Sequence, residues 1–161
     1  MTKHRRILIY GYGNPGRQDD GLGAAFIRKM ENWISQNKFI GINLDCNYQL
    51  NIEDAEVISG MELVVFVDAS IEEIEDFTFT RVDGSSAKVE FSMHAVSPAF
   101  VVDLCKKIFK EVPQTYLLHI KGYEWDFKEE ISEKAMLNLE KAFEFLTMKL
   151  LNEELGSQVI S

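Results

Sequence analysis

Three side chains draw attention by their type and by where they fall along the chain: Asp20, Asp68 and His94. Two carboxylates and an imidazole make a mixed oxygen and nitrogen donor set, suited to a borderline divalent ion and leaving coordination positions open for other ligands. Asp20 lies in the run Gly11-Tyr12-Gly13-Asn14-Pro15-Gly16-Arg17-Gln18-Asp19-Asp20-Gly21-Leu22-Gly23, between a short apolar stretch and a segment of helical period. Asp68 directly follows Leu63-Val64-Val65-Phe66-Val67, and His94 precedes Ser97-Pro98, a helix start with proline at the first helical position. Each also has a plain reading: Asp68 as an Asx-turn residue, His94 as a solvated loop histidine, and Asp19 or Asp20 as a helix cap. Capping by one aspartate is expected, but it leaves the density of glycines and the second acid unexplained.

The elements that must position these residues follow from hydrophobic spacing. Short β-branched runs alternate with longer segments of helical period, the pattern of an α/β domain. Strands are predicted at residues 6–10, within 40–50, at 63–67 and at 114–120. Residues 77–82 and 88–91 flank Asp83-Gly84-Ser85-Ser86 and read as a β-hairpin. A first helix runs from Asp19 or Asp20 to about Gln36 on the stripe Leu22, Phe26, Met30, Trp33 and Ile34. A short helix over 52–59 turns Ile52, Ala55 and Ile58 inward and ends at Gly60. The Ser97-Pro98 helix carries Phe100, Val101, Leu104, Cys105 and Ile108, and a last helix from Ser132 carries Ala135, Leu139, Ala142, Phe143, Leu146 and Leu150. The expected fold is a three-layer α/β/α sandwich with a mostly parallel central sheet and one β-hairpin. Residues 1–152 form a single domain, followed by a polar tail, 153–161, expected to fray. In such open sheets ligands gather outside the carboxyl ends of the strands, where Asp20, Asp68 and His94 all fall.

Composition narrows the function classes. With 17 Lys and Arg against 26 Asp and Glu, the formal net charge is −9, which argues against an electrostatic nucleic-acid or anionic-lipid binder. A hydrophobic fraction of 46% is too high for disorder. The two cysteines, Cys46 and Cys105, form no CxxC and fit a reducing cytosol, with Cys105 on an apolar helix face. The basic start Lys3-His4-Arg5-Arg6 precedes an apolar run far too short for a signal peptide, and no stretch reaches a transmembrane length. A soluble intracellular protein is expected.

Other chemistries leave weaker marks. Gly11 to Gly16 formally matches GxGxxG, with Asp45 as a conceivable ribose acceptor. Against a dinucleotide site, Pro15 removes a backbone donor and two carboxylates stand where a phosphate would have to sit. No HExxH or GxSxG is present. His119 falls inside a late strand and reads as structural, with Lys121 keeping a rim position open.

The order strand, Gly11-x-Gly13-Asn14, Asp19-Asp20-Gly21-x-Gly23 opening a helix, Val67-Asp68-Ala69 and then His94 before a helix resembles the hydrogenase maturation proteases. These endopeptidases finish the large subunit of [NiFe]-hydrogenases. The resemblance extends to the Gly122-Tyr123-Glu124 loop and the closing amphipathic helix, so it spans nearly the whole chain. It implies a cytoplasmic, monomeric peptidase that removes a C-terminal extension from a nickel-loaded large-subunit precursor. Nickel is then supplied by the substrate and no permanently bound cofactor is expected. Asp20, Asp68 and His94 are the implied metal-contacting residues. Read from their own chemistry, Asp20 or Asp68 is the expected catalytic base, and Gly13, Asn14 and Gly21 are expected to meet the substrate, glycine because no Cβ stands in the way and Asn14 as a donor. Some members carry Glu where this chain has Asp20, so its carboxylate reaches one methylene less far. A metal-binding homologue without peptidase activity and, further off, a dinucleotide-binding oxidoreductase are the alternatives.

Overall fold

The computed structural model describes residues 5–84, 96–153 and 155. Its centre is a five-stranded sheet in the order β2-β1-β3-β5-β4. The strands are β1 (Ile7–Tyr12), β2 (Ile42–Asn47), β3 (Leu63–Ser70), β4 (Phe77–Val82) and β5 (Gln114–Lys121). β1 pairs in parallel with β2 and β3, β3 pairs in parallel with β5, and β4 alone runs antiparallel, against β5. The helices are α1 (Leu22–Asn37), α2 (Asp54–Ser59), α3 (Pro98–Phe109) and α4 (Glu133–Leu151). Among the described residues no helix is long and apolar enough to cross a membrane.

The three layers follow from side-chain alternation along the central strands. Ile7 and Ile9 of β1 and Leu63, Val65 and Val67 of β3 face one way, into a core completed by Leu22, Phe26 and Met30 of α1 and Leu139, Ala142 and Leu146 of α4. Leu8 and Tyr10 with Val64 and Phe66 face the other way, against Ala55 and Ile58 of α2 and Val101, Val102 and Cys105 of α3. A strand covered on both faces has no polar side, which is why Leu63 to Val67 is an unbroken apolar run and fully buried. Truncating one of the large buried side chains, such as Leu63 or Met30, to alanine would cost about 2–5 kcal/mol.

Differences from the sequence expectation lie mostly at element ends. β3 runs on through Asp68 to Ser70, because β5 continues alongside it as far as the Ser70 and Lys121 pair after β1 has stopped at Gly11 and Val67. Asp68 is therefore inside the strand's last residues rather than just beyond them. α2 begins at Asp54, so Ile52, expected inside it, lies ahead of the helix and is exposed while Leu50 is buried; in α3 Ile108 is exposed. The first arm of the expected hairpin is β4, while residues 88–91 lie outside the described residues. In the segment expected to fray, Leu155 is buried in the first core and its carbonyl accepts a hydrogen bond from Arg5.

Candidate active site

Between β1 and α1 the glycine-rich segment folds back on itself around Asp20. Asn14 Oδ1 accepts from the Gly16 N–H at 2.9 Å, the Asn14 carbonyl accepts from the Arg17 N–H at 3.1 Å, and the Arg17 carbonyl accepts from the Asp20 N–H at 3.1 Å. These steps lead into a 3-10 turn, Gln18–Gly21, whose end is the N-cap of α1. The Asp20 carboxylate then closes the loop: its Oδ2 accepts from the Asn14 N–H at 2.8 Å, the one donor that reaches it among the described residues. Gly13 makes that closure possible. Its φ is +132°, and a Cβ there would stand 2.2 Å from the Asp20 carbonyl oxygen, so no side chain fits.

At the carboxyl end of β3, Asp68 sits between two neighbours on adjacent strands. His119 is its register partner on β5, with Nε2 3.5 Å from Asp68 Oδ2. On the β1 side Tyr12, one step beyond the last β1 and β3 pair, brings its phenol within electrostatic reach of Asp68. Burial, then the neighbouring Asp68 carboxylate, then the Asp20 charge push the Tyr12 phenol well above its usual range, so it stays neutral. Asp20 is raised too: burial is the main cause and the Asp68 charge adds to it, against the Asn14 N–H and the Arg17 charge. Two carboxylates close enough to feel each other in a half-buried rim are a pair in which one holds its proton more readily than a solvated acid.

Asp19, the adjacent residue, points elsewhere. It is fully buried, and its carboxylate accepts from the N–H groups of Tyr123 (2.7 Å), Glu124 (3.0 Å) and Ser132 (2.7 Å) and from the Ser132 hydroxyl (2.7 Å). Burial raises its pKa, but these donors together outweigh burial and hold it below the ordinary carboxylate range. The clamp has more strands: the Asp19 N–H donates to the Glu124 carbonyl, the Gln18 N–H to the Lys128 carbonyl, and the Asp126 N–H to Gln18 Oε1. Residues 122–132 are thus laced to the turn that carries Asp20. Gln18 adopts a φ of +42° to make its share of these bonds.

The expectation that Asp19 or Asp20 caps α1 is corrected here. The N-cap is Gly21, with no side-chain cap, because both carboxylates are already committed, Asp19 to the 122–132 segment and Asp20 to Asn14. Of the residues singled out from sequence, Asp20 and Asp68 do come together, and Gly13, Asn14 and Gly21 all belong to the loop that holds Asp20. His94 lies outside the described residues. His119, read as structural with a rim position left open, stands beside Asp68 at that rim. The signal that could have found it is its place in β5, as near the strand's carboxyl end as Asp68 is in β3, but only the strand register makes the two partners. Among the described residues no three His, Cys, Asp or Glu side chains group as metal ligands, so the donors on view are the Asp20 and Asp68 carboxylates. For a dinucleotide, Asp20 already occupies the Asn14 N–H, and Asp45 turns its Oδ1 to the Cys46 N–H.

The sequence matches no family model and none of the curated proteins. Solved structures do resemble it. One is a [NiFe] hydrogenase maturation protease, HycI, from Thermococcus kodakarensis KOD1, with a TM-score of 0.70, 24% identity, and 89% of this chain and 91% of that chain covered. Another is the hydrogenase maturating endopeptidase HybD from E. coli, at a TM-score of 0.66 and 16% identity over 92% of this chain and 93% of that one. A hydrogenase 2 maturation peptidase from Thaumarchaeota archaeon SCGC_AB-539-E09 gives a TM-score of 0.63 at 17% identity, covering 91% of this chain and 98% of the other. At these identities the likeness is one of fold, and over nearly its whole length the chain has the fold of the solved hydrogenase maturation proteases.

Proposed function

We propose that this protein is an endopeptidase that removes the C-terminal extension of a nickel-loaded [NiFe]-hydrogenase large-subunit precursor. The observation that carries the reading is the Asp20 and Asp68 pair, brought together at the carboxyl ends of the central strands in a fold shared with proteins named as hydrogenase maturation proteases. The nickel is cargo: it arrives on the precursor, held by the precursor's cysteine thiolates, and is met by Asp20, Asp68 and His94. An incomplete oxygen and nitrogen set suits a transient reader of a metal that already has ligands of its own.

For the cleavage, a carboxylate at the rim is the natural base, and Asp20 is the one whose proton affinity burial raises. Asp20 or Asp68 accepts a proton from water as the water oxygen attacks the scissile carbonyl, and the proton then passes to the leaving amine nitrogen. The nickel either polarises that carbonyl or serves only as a check that the precursor is loaded. Asn14 has its side-chain oxygen tied to the Gly16 N–H, so what it offers a carbonyl oxygen of the substrate is its amide nitrogen. The close packing of Gly13 and Gly21 keeps this loop thin where the substrate backbone must approach. The setting that goes with this reading is the cytoplasm, with the protein acting as a monomer on its precursor.

The test is incubation of the purified protein with nickel-loaded large-subunit precursors of several hydrogenase isoenzymes, followed by intact-mass spectrometry. Loss of a C-terminal peptide from one precursor, and only when nickel is present, is expected. Unchanged masses throughout would overturn the proposal, and nickel retention without cleavage would mark a metal-binding homologue instead.

A further inference from the structure

The registers of the five strands line up one row of residues at the carboxyl rim of the sheet. Asn47 on β2 pairs with Tyr12 on β1, and Tyr12 stands one step beyond the last β1 and β3 pair, Gly11 with Val67, and so beside Asp68. Asp68 pairs with His119 on β5, and His119 with Thr78 on β4. By alternation, Asp68 faces the same side as Val64 and Phe66, the side of α2 and α3, and His119 faces the same side as Leu117. One row below, Tyr10, Phe66 and Leu117 belong to that second core. The sheet therefore changes from apolar to polar in a single step, and Asp68 is at the middle of the polar row.

An aspartate side chain turns easily about its terminal torsion, which is broad and close to two-fold. Asp68 is bracketed on both sides: Tyr12 stands beside it on β1, and His119 Nε2 is 3.5 Å from Oδ2 on β5. Both partners are on rigid central strands, and both Asp68 and His119 are largely covered, with side-chain exposures of 21% and 24%. His119 stands against the Asp68 carboxylate, so its effect reaches the chemistry through Asp68. Partners that orient a working carboxylate matter almost as much as the carboxylate itself.

We propose that His119 is a positioning residue that, together with Tyr12, fixes the plane of the Asp68 carboxylate. The inference rests on the reading of Asp68 as a working residue of a processing endopeptidase. Two variants and two readouts test it. In the precursor assay, His119→Ala should lower kcat about 10- to 100-fold, the loss typical of removing an outer partner. KM should rise less than kcat falls, because Asp20 and His94 still meet the nickel that the precursor carries. His119→Gln, whose amide N–H reaches toward the same carboxylate oxygen, should recover most of kcat. Both variants should melt cooperatively. In crystal structures the Asp68 carboxylate should keep one orientation in the wild type and in His119→Gln, and take several in His119→Ala. A His119→Ala protein with wild-type kcat, or with Asp68 unmoved, would overturn the proposal. A wild-type protein that leaves every precursor intact, while His119→Ala still releases Asp68, would overturn the processing function and leave the positioning role standing.

Discussion

Asp19 and Asp20 are chain neighbours on one 3-10 turn, yet they belong to two regions with opposite physics. Asp19 is sealed beneath the 122–132 segment, meets four donors, and is held below the ordinary carboxylate range. Asp20 is met by one backbone N–H, faces the Asp68 charge, and is raised. A carboxylate whose charge is fully satisfied contributes to stability, whereas one left under-solvated beside another acid costs stability and keeps a reactive proton site. The turn does both tasks because successive residues in it point to opposite sides. The structural acid fixes the backbone on which the reactive one is mounted.

The contrast can be broken at either acid. The largest effect is expected from Asp20→Asn, which should lower precursor processing by about 10²- to 10⁴-fold, the usual worth of a general base, while leaving the melting temperature no lower than that of the wild type. Mass-spectrometric time courses and thermal melts on the same preparation check it. A variant that processes normally would remove Asp20 from the chemistry.

Asp19→Ala should do its damage to the fold. Stranding three backbone donors in a buried site costs at least about 3 kcal/mol. In a domain of this size that is a fall of roughly 6–12 °C in melting temperature. Hydrogen exchange at the Tyr123, Glu124 and Ser132 amides should speed up before that of β3. A melt within a degree or so of wild type would show that the clamp is not what holds the 122–132 segment.

Gly13→Ala tests the joint between the two regions. The added Cβ collides with the Asp20 carbonyl and the residue is forced into a strained φ, for about 1–3 kcal/mol, so a moderate loss of stability should accompany a loss of processing. Normal activity in this variant would mean that the loop has room to relax around Asp20.

The smallest effects, and the sharpest contrast in sign, should appear in urea unfolding between pH 3 and pH 7. Asp19 is lowered in the folded state, so its contribution is fully present above the ordinary carboxylate value of 3.8 and is lost as pH falls through its folded pKa. The charge-dependent part of the Asp19→Asn deficit should therefore shrink toward pH 3. Asp20 is raised, so the wild type loses stability as pH rises from 3.8 through the folded pKa of that group. Asp20→Asn should match the wild type at the acid end and gain on it as pH rises. Deficits or gains of the same sign for both variants would end the distinction.

Much of the fold was legible because buried strands and amphipathic helices carry their burial as a pattern. The run Leu63 to Val67, the stripe Leu22, Phe26 and Met30, and the Ser97 and Ser132 N-caps all stand where local spacing puts them. Asp20 and Asp68 were legible for a topological reason, since strand-to-helix connections in a parallel sheet open on one edge. Ile108 was misplaced because helical period gives a face but not its width against a particular neighbour, and Ile52 because the pattern does not fix the residue at which a short helix begins. The role of Asp19 could not be read at all, because its partners Tyr123, Glu124 and Ser132 are more than a hundred residues away. Nor could that of His119, which sits in a segment whose own pattern says only strand.

By itself, then, the order of residues determined the α/β architecture, the loop that carries two acids at the mouth of a helix, and an acid at the end of the central strand. Those are consequences of local periodicity, glycine placement and chain direction. Which acid is structural and which is poised, and that Tyr12 and His119 enclose Asp68, were decided only by the tertiary structure. Charge state and orientation depend on distant donors and on strand register, and neither is written in any one segment of the chain.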